Sequence, residues 1–123
     1  MSAKRWSLPW LALVPLALAV PGRAQTDQTQ FVVVYVELLP AAKQRGGELL
    51  EKLARLAQAS SGAISFTANQ EIQRPNFYVL IEEWKDAPSY EAFQNRDKTK
   101  ILINQIQPLL EAPFDERDGV LIK

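Results

Sequence analysis

The chain has 123 residues, is 47% hydrophobic and 23% charged, and balances 14 basic against 14 acidic side chains. That size and balance suit one small globular domain and are unlike a disordered chain. It contains no Cys and no His. These absences exclude disulfides, thiolate metal sites, thiol nucleophiles, Ser-His-Asp triads, imidazole bases and His-ligated haem or zinc.

Residues 1–24 have the pattern of a cleavable secretory signal peptide. Lys4 and Arg5 form a positive n-region, Trp10 to Val20 is an apolar run, and Gly22-Arg23-Ala24 sets small residues before a cut at Gln25. The run is shorter than the roughly 20 residues of a membrane span, and Pro15 interrupts it. An uncleaved anchor and a cut after Ala19 are the alternatives. The expectation is a periplasmic or secreted domain, 25–123, with no stable membrane anchor after cleavage. The leader holds Lys4, Arg5 and Arg23, so cleavage leaves 11 basic against 14 acidic side chains. A mildly acidic domain without a basic cluster is a poor partner for nucleic acid or anionic lipid.

Residues 31–39 (FVVVYVELL) are β-branched, aromatic or aliphatic and predict a strand. Polar residues do not alternate through it, which predicts burial on both faces. Residues 41–60 predict a helix whose stripe is Leu49, Leu50, Leu53, Leu56 and Ala57, with Glu48–Lys52 and Glu51–Arg55 pairs outside. Gly46-Gly47 weakens its first turns, and Gly62 after Ser60-Ser61 can cap its end. Residues 63–72 predict a second strand, 73–76 a turn, and 77–84 (FYVLIEEW) a third strand. The two faces of that third strand each carry three large apolar residues and one carboxylate. Helices can cover one face, and in so short a chain a second copy is expected to cover the other. Ala87 to Phe93 predicts a short helix with Pro88 in its first turn, and residues 97–107 predict another that presents Leu102 and Ile106. Leu109 and Leu110 continue that apolar face past Pro108. Residues 120–122 predict a short terminal strand. Asp115-Glu116-x-Asp118-Gly119 lacks the ligand spacing of an EF-hand loop and reads as a solvated acidic turn, so no metal site is expected.

The predicted βαββαβ order is that of the α+β ferredoxin-like plait, an antiparallel sheet with helices on one face. The segment Phe77-Tyr78-Val79-Leu80-Ile81-Glu82-Glu83-Trp84-Lys85-Asp86, then Tyr90-Glu91-Ala92-Phe93, resembles the core signature of the antibiotic biosynthesis monooxygenase family. That signature is a hydrophobic strand ending in Glu-x-Trp-x-Asp, followed by an aromatic residue or Leu, then x-Ala-His. Pro40, Gly62, Gln107-Pro108-Leu109-Leu110 and Ala112-Pro113-Phe114-Asp115-Glu116-Arg117 also fit, the last two being similar to a secreted quinol-monooxygenase-like branch. The resemblance covers residues 31–117. It implies a homodimer of the dimeric α/β-barrel type, with a pocket between sheet and helices. It also implies oxygenation of hydroquinols, phenols or polycyclic aromatics by O2, without metal or flavin. The family's His falls on Phe93 here, and the haem-degrading branch needs a His in that helix. A second reading on the same fold is a non-catalytic dimeric binding or stress-related protein.

The resemblance places Trp84 in a pocket wall, and a core position is the alternative. Tyr90 falls where some members place a pocket phenol, against simple packing on the sheet. Glu82 and Glu83 point to opposite faces. Glu82 shares a face with Trp84 and is the candidate base if that face meets the helices, or an interface ion-pair residue if it meets a partner. Asn69 could orient a substrate oxygen, Tyr35 could reach the pocket, and Phe93 stands at the missing His. The candidate catalytic set is therefore Trp84, Tyr90 and Glu82, and the candidate substrate contacts are Asn69, Tyr35 and Phe93.

Overall fold

The structure is a computed structural model that describes residues 28–122. The leader assigned to residues 1–24 lies outside the described residues. Strand β1 (Gln30–Glu37) leads through a 3-10 turn at Pro40–Ala42 into helix α1 (Lys43–Gln58). Strands β2 (Ala63–Gln70) and β3 (Phe77–Trp84) follow. Then come helices α2 (Ala87–Gln94) and α3 (Asp97–Ile106), a second 3-10 turn, and strand β4 (Asp115–Val120). The strands form one antiparallel sheet in the order β2-β3-β1-β4. This is the expected α+β ferredoxin-like plait, with its helices on one face.

Strand parity decides what each residue can do. Val32, Val34 and Val36 on β1 are buried, as are Leu80, Glu82 and Trp84 on β3 and Phe66 on β2. These residues face the helices. The α1 stripe of Leu49, Leu50, Leu53, Ala54 and Ala57 closes over them, joined by Ile106 of α3. Each fully buried aliphatic side chain of this kind contributes about 1.5–3 kcal/mol. The odd-numbered residues point the other way, and no element among the described residues covers them. Phe31 is 41% exposed, Tyr35 46% and Ile81 49%. The expected burial of β1 on both faces is therefore not met among the described residues.

Helix α1 begins at Lys43, within the expected 41–60 and ahead of the glycine pair. The glycines are there for close approach. A Cβ on Gly46 would lie 2.6 Å from the Leu38 side chain, and one on Gly47 would collide with the Tyr78 hydroxyl. Helix α1 can thus lie directly on the sheet. Residues 115–120 are not a solvated turn but the edge strand β4, paired with β1 from Gln30↔Val120 to Tyr35↔Asp115. Charged residues are depleted in strands, yet an edge strand tolerates them because one side remains in water.

Helix α1 is capped at Ala59 and not at Gly62, whose φ of +85° instead turns the chain into β2. Asp86 caps α2 by accepting a 2.9 Å hydrogen bond from the Ser89 amide, and the Ser89 side chain first, then this amide, hold its carboxyl below the usual range. Gly46→Ala is expected to lower stability by about 1–3 kcal/mol through overpacking against Leu38. Helix propensity alone would raise it by about 1 kcal/mol. Urea unfolding distinguishes the two, and a stabilised variant would refute the close-approach explanation.

Candidate functional site

On the helix side of the sheet, β3 and β4 bring three carboxylates into a mostly apolar layer flanking β1. Glu82 lies opposite Val32, whose other neighbour is Asp118. Glu116 lies opposite Val34. Helix α2, started by the Asp86 cap, sets Tyr90 and Phe93 over the end of β3.

Glu82 is only 3% exposed. Its Oε1 accepts a 2.9 Å hydrogen bond from Trp84 Nε1, two residues along the same strand face. Burial pushes its carboxyl up to about 7. The Trp84 N–H opposes that rise, while the nearby Glu116 and Asp118 charges add to it. Tyr90 donates its hydroxyl to Glu116 Oε2 at 2.8 Å. Burial first, then this bond and the surrounding carboxylates, drive the phenol well above its ordinary range. Tyr90 is therefore a fixed donor and not a phenolate base. Burial also raises Glu116, with Asp118 adding to the effect and the Tyr90 bond opposing it.

A cavity of about 240 Å³ opens beside these groups. Glu82, Phe93, Phe66, Phe114, Gln94 and Glu116 line it, together with the aliphatic Val34, Leu53, Leu80 and Ile103. It is smaller than the roughly 300–1,000 Å³ of drug-sized sites and suits a one- or two-ring compound. A larger groove of about 500 Å³ runs beside the start of α1, past Lys43, Glu48, Glu51 and Tyr78. None of its carboxylates is buried, so it offers binding surface rather than acid–base chemistry.

The cavity brings together some of the sequence candidates and leaves others out. Glu82 and Phe93 line it. Phe93 does not plug it: the ring stacks on Trp84 with centroids 5.1 Å apart. Trp84 is fully buried behind that wall, so it holds Glu82 instead of meeting a ligand. Tyr90 packs 5.8 Å from Trp84 and acts through Glu116. Tyr35 and Asn69 are corrections. Both sit at odd positions on the open face, away from the cavity. Tyr35 lies 5.3 Å beneath the Arg117 guanidinium, and Asn69 donates to Thr67 Oγ1 and the Val79 carbonyl.

Glu116 and Phe114 were missed as site residues. The available signal was the alternation of Glu116, Asp118 and Val120 on one face of a paired segment, hidden by the acidic composition.

Glu82 also carries a stability consequence. Its folded value of about 7 lies above the ordinary 4.5, so the native state holds a proton that the unfolded chain releases. Its contribution to stability is complete below about pH 4.5, falls as the pH rises to about 7, and is level above that. Glu82→Gln keeps an oxygen acceptor for Trp84 and removes this titration. Between pH 5 and pH 8 the native chain should lose about 2–3 kcal/mol relative to the variant in denaturant unfolding. Parallel pH profiles would show that Glu82 is not held protonated.

Residues 29–102 match the family model described as antibiotic biosynthesis monooxygenase. No curated protein matches the sequence. Among solved structures, a candidate antibiotic biosynthesis monooxygenase from Caulobacter crescentus is 11% identical, with TM-score 0.75 over 85% of this chain and 99% of that one. A second candidate, from Nitrosomonas europaea, is 14% identical, with TM-score 0.73 over 78% and 92%. A conserved protein from Methanosarcina mazei is 21% identical, with TM-score 0.71 over 80% and 97%. At these identities the likeness is one of fold.

Proposed function

The chain belongs to the antibiotic biosynthesis monooxygenase family, and on that premise we propose that it oxygenates a small hydroquinol or phenolic aromatic with O2, with Glu82 as general base. One observation carries the reading. A buried carboxyl poised near 7 faces a small, largely apolar cavity. A base with that value is half-ionised at neutral pH, where proton transfer is most effective.

The chemistry asks little else of the protein. Glu82 takes the phenolic proton, and the resulting phenolate is electron-rich enough to pass one electron to O2. Recombination forms a C–O bond at a hydrogen-bearing ring carbon ortho or para to the phenolate. Breaking the O–O bond leaves one oxygen on the ring as a carbonyl. The other departs as water with the ring hydrogen and the phenolic proton. The substrate supplies all the electrons. Phe66, Phe93 and Phe114 hold the ring and keep water from the radical pair. Trp84 is a positioning residue that fixes Glu82.

We further propose that two copies pack through the open sheet face, where Phe31, Tyr35 and Ile81 remain exposed. The leader pattern supports a periplasmic or secreted setting. Sedimentation tests the pairing: a monomer at micromolar concentration would sink it, and Ile81→Asp should shift a dimer toward monomer.

Oxygen consumption with a panel of hydroquinones and naphthols, corrected for autoxidation, tests the chemistry. Uptake should rise with pH through about 7 and fall by roughly 10²-fold or more in Glu82→Gln. Trp84→Phe removes a hydrogen bond that lowers the Glu82 value, so its rising limb should move to higher pH. A Trp84 that only fills space would leave the limb in place. Uptake untouched by Glu82→Gln would overturn the assignment, and saturable binding without uptake would favour a non-catalytic binding protein.

A further inference from the structure

We infer that the preferred ligand of this cavity is a phenol bearing a protonated amine, in preference to a neutral or anionic phenol. The inference rests on the oxygenase reading for the phenol and on the charge of the cavity walls for the amine.

The lining contains two carboxyls from different strands and no Lys or Arg. Glu82 is buried at the inner end, and Glu116 stands on the exposed edge strand. An anionic ligand would meet only like charge there and would lose its hydration without compensation. A cation meets the opposite case. Three of the walls are the phenylalanines Phe66, Phe93 and Phe114, whose ring faces attract ammonium groups. The second carboxyl oxygen of Glu82 has no hydrogen-bond partner among the described residues, so it is available to a hydroxyl.

The strand register sets the span of the ligand. Glu82 and Glu116 flank β1 at Val32 and Val34, two residues apart along that strand. Two strand spacings of about 4.8 Å and a two-residue rise of about 6.8 Å put their backbones roughly 12 Å apart. Two glutamates leaning inward across that gap accommodate an aromatic ring with a hydroxyl at one end and a short aminoalkyl arm at the other. The hydroxyl meets Glu82 and the ammonium meets Glu116.

The groups facing Glu82 are Glu116 and Asp118 from β4, with Tyr90 from α2. All are acidic or neutral, so an incoming ammonium is the charge that favours the Glu82 carboxylate. Binding should therefore expel protons near neutral pH, and an uncharged phenol, which offers only its hydroxyl, should expel fewer.

The test is calorimetric titration of the purified protein under argon with three phenols of matched shape: tyramine, para-hydroxyphenethyl alcohol and para-hydroxyphenylacetate. Near pH 8, tyramine should bind at least about tenfold more tightly than the alcohol, and the carboxylate should bind weakest. Near pH 7 the tyramine heat should vary more steeply with buffer ionisation enthalpy than the alcohol heat. Glu116→Gln should shrink the tyramine-to-alcohol ratio. Equal binding of tyramine and the alcohol, tighter binding of the carboxylate, or no binding by any of the three would overturn the inference. Oxygen uptake separates it from the oxygenase reading. Turnover of neutral hydroquinones without an amine preference refutes the ligand class alone. An amine preference without uptake supports the ligand class and refutes the oxygenation.

Discussion

Placing a carboxyl between Val32 and the helices is the constraint from which the site follows. An isolated carboxylate in such a layer would be expelled or protonated. Glu82 stays because its own strand supplies a donor: residues two apart share a face, and Trp84 Nε1 reaches Glu82 Oε1 at 2.9 Å. The Trp in turn is held by ring contacts to Phe93 and Tyr90. Both of those residues belong to a helix whose start is fixed by Asp86. The Glu-x-Trp-x-Asp spacing thus has a mechanical reading. On the proposed reading the Glu is the reactive group; the Trp donates to it, and the Asp caps the helix that packs on the Trp. A change at any of the three is transmitted to the other two.

The edge strand β4 completes this arrangement from the far side of the sheet. Its even positions carry Glu116 and Asp118 onto the helix face, where they raise Glu82 electrostatically and engage Tyr90. Its odd positions carry Asp115 and Arg117 onto the open face, where they form an ion pair beside Tyr35. One short strand therefore sets the charge of the cavity and the chemistry of the surface behind it. The second carboxyl comes from a different strand, because adjacent glutamates such as Glu82 and Glu83 must face apart.

Much of this fold was legible in the residues, since hydrophobic period and turn chemistry agreed along 31–107. The α1 stripe, the left-handed turn at Gly62 and the faces of β3 are direct consequences of local rules. What could not be read was which face of β3 meets the helices. Both faces carry three apolar residues and one carboxylate, so parity fixes the pairing of Glu82 with Trp84 but not its side. The same ambiguity put Tyr35 and Asn69 among the site candidates. Both belong to the face that the described residues leave open. Strand β4 was hidden for a different reason: its edge position is a tertiary fact, and its acidic composition argues locally for a turn.

Phe93 ties the chemistry to the departure from the family signature. An imidazole at that position would titrate near 6.5 without help from its surroundings. The phenylalanine gives up that group but dries the cavity wall and packs against Trp84. Dryness is the leading cause of the raised Glu82 value. The result is a carboxyl that titrates near 7, close to the range a histidine would have provided. The two sites would differ in charge. A histidine base becomes cationic when it takes a proton, whereas Glu82 becomes neutral. On the proposed chemistry, a phenolate formed beside protonated Glu82 would have no imidazolium to stabilise it, would stay more reducing toward O2, and would depend more on any positive charge brought by the substrate itself.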